Sequence, residues 1–158
     1  MVQKLKNLRK DGSSEGFTII EVLIVLAIAG LILLIVFLAV PALQRNARNT
    51  TRKNEVAAIL GAVNEWSNNN SGSLPTSAAN QTAALANAKT QFYTGNVTWG
   101  TPSTTITNSQ TTETALIVTS EKCNANGADA IAGSSRQLVV LYKVETGSGT
   151  GQFICQES

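Results

Sequence analysis

The chain has 158 residues and a formal net charge of +2, and it contains no histidine. The commonest metal ligand and the usual general base near neutral pH are therefore missing, which argues against most hydrolytic and metal-dependent enzymes and predicts no cofactor. Only 5% of the residues are aromatic, so a folded domain of this size would have a thin core and would need additional bracing.

The excess positive charge lies in the first sixteen residues. This leader holds four basic side chains against Asp11 and Glu15, and the remaining residues balance at eight basic and eight acidic. The body of the chain thus gives no support to nucleic-acid binding. A basic leader favours a cytoplasmic N-terminus, but the basic residues Arg45 to Lys53 beyond the apolar segment compete with it, so charge alone leaves the orientation open.

Residues 22–40 form an uninterrupted run of uncharged, mostly apolar side chains. As an α-helix this run would measure about 28 Å, close to the hydrocarbon thickness of a bilayer. The alternative is a buried core helix of a soluble protein, but the run has no polar face, which favours a membrane span.

Beyond Pro41 the apolar residues recur at spacings of three and four, as on one face of a helix. We therefore predict one long helix from about Phe17 to Trp66, ended by the turn-forming residues 67–75. Its basic residues 45–53 are interpreted as a solvated helix face, with contact to anionic lipid or to a neighbouring subunit as the alternative.

The C-terminal half predicts a small antiparallel sheet. Strand patterns occupy Ala115–Thr119, Gln137–Glu145 and Gln152–Cys155, and the last two are joined by the flexible loop TGSGTG. A short helix is expected around Ala83–Phe92. The predicted class is α+β: a long N-terminal helix packed against a small C-terminal antiparallel sheet.

The boundary between leader and span carries the most specific pattern. Gly16 is followed directly by Phe17, Glu21 and the apolar run. Ordinary secretory signals are cut after their hydrophobic region. Cutting after Gly16 would instead remove the charged leader and retain the hydrophobic helix, as a filament core requires.

The segment GFTIIEVLIVLAIAGLI resembles the class III signal of type IV pilins and of the related pseudopilins. The resemblance implies that a prepilin peptidase cuts between Gly16 and Phe17 and methylates the new amino group of Phe17. It also implies that Glu21 recruits an incoming subunit by neutralising the Phe17 amine of a neighbour. Gly30 and Pro41 are the expected points of helix flexibility, and Pro41 lies later than the family's familiar pattern.

Cys123 and Cys155 have no metal-binding spacing. In a cytosolic protein they would be read as unpaired thiols, whereas beyond a membrane segment they predict one structural disulfide. Such a pair near the C-terminus resembles the disulfide loop of many pilins.

The sequence thus predicts four regions: a removed leader (1–16), a membrane or filament-core helix (17–41), its amphipathic continuation (42–67) and a globular head (68–158). The leading function is a structural type IV pilus subunit, held in the cytoplasmic membrane and then polymerised with its own copies on the cell surface for adhesion, motility or DNA uptake. Expected partners are the prepilin peptidase, the assembly platform with its ATPase, and membrane lipid; nucleic acid is unsupported. A pseudopilin of a type II secretion system and a signal-anchored surface-binding module are the alternatives.

Overall fold

The computed structural model describes residues 16–91, 93, 95–100 and 111–158. Helix α1 spans Ile19–Asn69 and contains Pro41. After α2 (Ala78–Leu85), the described residues form six strands: β1 (Val97–Gly100), β2 (Ala115–Thr119), β3 (Glu121–Cys123), β4 (Ala130–Ala132), β5 (Leu138–Val144) and β6 (Gln152–Glu157). The predicted α+β class is confirmed, and α1 begins and ends within three residues of the predicted bounds.

The chain divides into two compact units, one ending at Val40 and the other running from Pro41 to Ser158. In the first unit every large apolar side chain from Phe17 to Val40 is exposed. α1 is long and apolar enough to cross a membrane, and none of its most apolar stretch is buried, unlike the core helix of a soluble protein. This surface requires another apolar phase or another protein to cover it.

The second unit is built on the C-terminal half of α1. Val56, Ile59, Leu60 and Val63 follow the three-and-four spacing of one helix face, and all are buried. They share a core cluster with alternate residues of the central strands, of which Ile117 and Val140 are examples. One face of the sheet therefore packs against α1.

The main sheet has the order β1-β2-β5-β6. β5 pairs antiparallel with both β2 and β6, as the predicted hairpin requires. β1, which the sequence did not predict, pairs with β2 in parallel, so this edge differs from the antiparallel pairing of β2, β5 and β6. The connection through residues 101–114, mostly outside the described part, is long enough for the crossover that a parallel pair needs.

The opposite face of the sheet is also covered. Leu116, Val118, Val139 and Leu141 form a second buried cluster. The small hairpin of β3 and β4 supplies Cys123 and Ala130 to it, and β6 supplies Cys155. β2 and β5 are consequently buried on both faces, which explains their continuous apolar sequences.

The predicted helix around Ala83–Phe92 is misplaced. α2 begins earlier because the Ser77 hydroxyl accepts a hydrogen bond from the Asn80 amide at 3.3 Å and so caps the helix. It ends at Leu85, and Phe92 itself lies outside the described residues.

Candidate functional site

The candidate cleavage junction precedes the first turn of α1. Gly16 and Phe17 are both exposed, and apart from the neighbouring residues in the chain no described atom lies within 4 Å of the position that a Gly16 Cβ would occupy. Neither residue belongs to the helix, which begins at Ile19. Exposed backbone outside regular structure is the conformation in which a protease binds its substrate, so the junction is accessible in this structure.

Glu21 is held at the start of α1 by Thr18. Its Oε2 accepts hydrogen bonds from the Thr18 backbone N–H at 2.8 Å and from the Thr18 hydroxyl at 2.6 Å. In return, the Glu21 N–H donates to the Thr18 hydroxyl oxygen at 3.3 Å. This reciprocal arrangement is a capping box, in which the first residues of the helix satisfy each other's polar groups.

The capping box leaves one carboxylate oxygen available. Both Thr18 donors bind Oε2, and no described residue donates a hydrogen bond to Oε1. Glu21 also lines an open groove with Phe17, Val22, Val25 and Leu26, whose walls are predominantly apolar. An acceptor that lies next to apolar surface and lacks a donor favours a positively charged group on an approaching molecule.

Gly30 and Pro41, the two expected points of helix flexibility, both lie within α1. Outside its own turns of helix, a Cβ at Gly30 would meet no described atom within 4 Å, so packing within the described part of the chain does not require this glycine. Pro41 lacks an amide hydrogen and so cannot donate to the carbonyl of Phe37, four residues earlier. The weakest hydrogen bonding of α1 is therefore expected at this turn.

A second polar cluster, not predicted from the sequence, fixes α1 to the end of β5. The Glu145 carboxylate accepts hydrogen bonds from Arg48 Nε at 2.9 Å and from Arg52 Nη2 at 2.8 Å. The side chain of Arg52 is only 3% exposed and that of Glu145 is 21% exposed. The bond from Arg48, supported by Arg52, lowers the pKa of Glu145 to about 2.

Asn49 completes this Glu145 cluster of Arg48, Asn49, Arg52 and Glu145. Its side-chain amide donates to the Glu145 carbonyl and accepts from the Glu145 N–H, both at 2.8 Å. The amide thus pairs with the end of β5 as an adjacent strand would. The cluster joins elements more than ninety positions apart in sequence.

The two cysteines are bonded to each other. The Cα atoms of Cys123 and Cys155 are 5.6 Å apart, and the disulfide links the β3–β4 hairpin to β6. The Cys155 N–H also donates to the Gly127 carbonyl at 2.7 Å. The disulfide and this hydrogen bond hold the hairpin over the outer face of the sheet.

Glu55 has a structural role. It is 7% exposed, and its carboxylate accepts hydrogen bonds from the backbone N–H groups of Gln91 at 2.9 Å and Tyr93 at 3.2 Å. It therefore holds the connection between α2 and β1 against α1. The described residues contain no group of three metal-binding side chains.

Comparison with known proteins finds one match. Residues 12–37 match the family model of the prokaryotic N-terminal methylation motif. The matched segment includes Gly16, Phe17, Glu21 and Gly30. Neither the curated proteins nor the solved structures contain a significant match to the chain.

Proposed function

We propose that this chain is the precursor of a type IV pilus subunit. It carries the N-terminal methylation motif, which is the hallmark of type IV pilins and pseudopilins. The observation that carries the proposal is the order of segments. An exposed Gly16–Phe17 junction comes directly before an apolar helix, so cleavage there retains the helix. A hydrophobic helix that is retained in the mature protein serves first as a membrane anchor and then as a filament core.

Cleavage after Gly16 creates a positively charged amine at Phe17. Burying this amine or the Glu21 carboxylate alone in an apolar environment is unfavourable. A subunit that enters the filament with an axial offset brings its amine beside the Glu21 Oε1 of a neighbour, and the pairing offsets much of both desolvation costs. It also selects the register, since apolar side chains alone tolerate many sliding positions.

Thr18 supports this assembly step in two ways. The capping box satisfies Oε2 within the chain, so the carboxylate is stabilised before a neighbour arrives. It also fixes the direction of the carboxylate, which lowers the entropic cost of forming the pair. Glu21 is thereby presented with one oxygen bound and one oxygen directed to a partner.

Processing and assembly begin from the subunit stored in the membrane. A prepilin peptidase trims and methylates the chain, and the assembly platform and its ATPase move the subunit from the membrane to a surface filament of identical copies. The filament serves adhesion, motility or DNA uptake. The Cys123–Cys155 disulfide near the C-terminus favours a pilin over a pseudopilin, because it resembles the disulfide loop of many pilins.

The test separates processing from assembly. Glu21→Val is expected to insert and to be trimmed, because it removes a charge from an apolar segment and leaves Gly16 in place. It should nevertheless yield few filaments in a strain without a wild-type copy. Glu65→Val removes an exposed carboxylate from the same helix and serves as the control, with normal filament yield expected. Normal filaments from Glu21→Val would contradict the proposed mechanism.

A further inference from the structure

Arg45 is the basic residue of α1 nearest to the apolar segment, and no carboxylate in the described part of the chain forms a salt bridge with it. Among the described residues, both salt bridges formed by the basic stretch 45–53 belong to Arg48 and Arg52. The Arg45 side chain is partly buried, so it is not simply extended into solvent. A partly buried guanidinium group without a carboxylate favours an anion from outside the chain.

Arg45 lines a cavity of about 350 Å³ beside the glycine-rich β5–β6 loop. This volume falls at the small end of ligand pockets, which measure roughly 300–1,000 Å³. Gly147, Gly149 and Gly151 line the cavity too, and because glycine has no side chain they contribute backbone atoms to its wall. A Cβ at Gly147 would lie 4.0 Å from Arg45 Nη2, so the loop and the guanidinium group are direct neighbours.

The chemistry of the wall suits a phosphate group. Thr112 and Thr146 line the cavity. The Thr146 hydroxyl lies 3.0 Å from that of Ser148, a loop residue outside the cavity lining. A guanidinium group, hydroxyls and glycine backbone are the usual combination for binding phosphate oxygens. Glu145 also lines the cavity, but Arg48 and Arg52, which lie outside the lining, already bind its carboxylate and offset its negative charge.

The position of Arg45 along α1 identifies the source of the phosphate. Arg45 follows Val40, the last residue of the apolar run, by five residues. Basic residues this close to a membrane span attract anionic lipid headgroups at the membrane surface. A chain that spans the bilayer with residues 22–40 therefore keeps Arg45 within reach of the lipid phosphates.

We propose that the cavity between Arg45 and the β5–β6 loop binds the phosphate of an anionic lipid headgroup while the subunit is stored in the membrane. The proposal rests on membrane storage, which is one part of the proposed function, and is independent of filament formation. Bound lipid would fix the depth of the folded unit at the membrane surface. It must be released when the subunit leaves the bilayer.

The test uses the full-length chain in detergent with phosphatidylglycerol or phosphatidylcholine added in increasing amounts. Native mass spectrometry counts the lipids retained by each chain. We expect the wild type to retain phosphatidylglycerol in preference to phosphatidylcholine. Equal retention of the two lipids would overturn the proposal.

Three variants separate a built site from general attraction to negative surfaces. Arg45→Gln removes the guanidinium group, and affinity for phosphatidylglycerol should fall at least about tenfold, as expected for loss of a charge-assisted hydrogen bond. Gly147→Leu fills the wall without changing the charge, and its backbone does not need positive φ. General attraction predicts no effect of Gly147→Leu, whereas the site predicts a loss similar to that of Arg45→Gln.

Lys53→Gln is the control, because it removes a positive charge outside this cavity. Its affinity should stay close to that of the wild type; a loss equal to that of Arg45→Gln would overturn the proposal. Inorganic phosphate and a short DNA duplex are tested in place of the lipid. Arg45-dependent binding of either one, without a preference for phosphatidylglycerol, would show that the phosphate comes from another source and would also overturn the lipid assignment.

Discussion

Glu145→Gln tests whether the Glu145 cluster fixes α1 to the sheet. Glutamine keeps the shape of the side chain but loses the charge, so Arg48 and Arg52 lose their ion pairs while Asn49 keeps its bonds to the Glu145 backbone. The side chain of Arg52 is 3% exposed, and a buried cation without its partner carries a desolvation cost.

The expected loss of stability in Glu145→Gln follows from the burial of the paired side chains and from the pKa of Glu145. A pKa of about 2, against an ordinary value of 4.5, corresponds to an upper limit of roughly 3 kcal/mol. Because Glu145 is 21% exposed and Arg48 is 42% exposed, solvent screening reduces this figure, and we expect about 1–2 kcal/mol. For a folded unit of this length the loss corresponds to a decrease in melting temperature of roughly 5–10 °C.

The stabilisation provided by Glu145 decreases as the pH falls. The carboxylate pKa is lower in the folded chain, so its stabilisation is complete above about pH 4.5 and is lost as the pH falls toward about 2. The stability difference between wild type and Glu145→Gln should therefore shrink over this range. The assay is thermal unfolding of the full-length chain in detergent, followed by near-ultraviolet circular dichroism, with Glu65→Gln as an exposed control on the same helix. An unchanged melting temperature for Glu145→Gln, or a difference independent of pH, would show that the Glu145 ion pairs do not stabilise the folded unit.

Three further predictions concern the junction, the disulfide and the helix. Gly16→Leu should leave full-length precursor in the membrane and no filaments, as scored by immunoblot; normal trimming would contradict the assigned cleavage site. Cys155→Ser should destabilise the folded unit by about 3–4 kcal/mol, because the disulfide closes a loop with a sequence separation of 32. Thermal unfolding measures this loss, and a melting temperature equal to that of the wild type would exclude it. In a filament, α1 should bend or unwind between Gly30 and Pro41, and a density map with straight, continuous helix there would count against the prediction.

The elements with strong apolar patterns could be predicted from the sequence. The sequence located α1 from its long apolar run followed by an apolar face with helical spacing. It located β2, β5 and β6 from short apolar runs that contain β-branched residues. β1, β3 and β4 were missed: they are three or four residues long, and neither Glu121–Cys123 nor Ala130–Ala132 alternates in polarity. β1 pairs with β2, a strand distant in sequence, and the β3–β4 hairpin is linked to β6 by the disulfide and packs on the outer face of the sheet. A local sequence pattern contains none of these long-range contacts.

The candidate site was predictable in part. The sequence places Gly16, Phe17 and Glu21 in a recognisable order. The role of Thr18 was missed, although a threonine three residues before a glutamate at the start of a helix is a capping-box pattern. The Glu145 cluster could not be predicted. Glu145 lies more than ninety positions from Arg48, Asn49 and Arg52, so only the folded chain brings them together.

The pilus function is tested most directly by the intact mass of this chain in filaments sheared from the cell surface. We expect that the chain is the main component, begins at an N-methylated Phe17, and has a mass two hydrogens lower than that of the reduced chain because Cys123 and Cys155 are bonded. Filaments without this chain, or a filament subunit that retains residues 1–16, would contradict it.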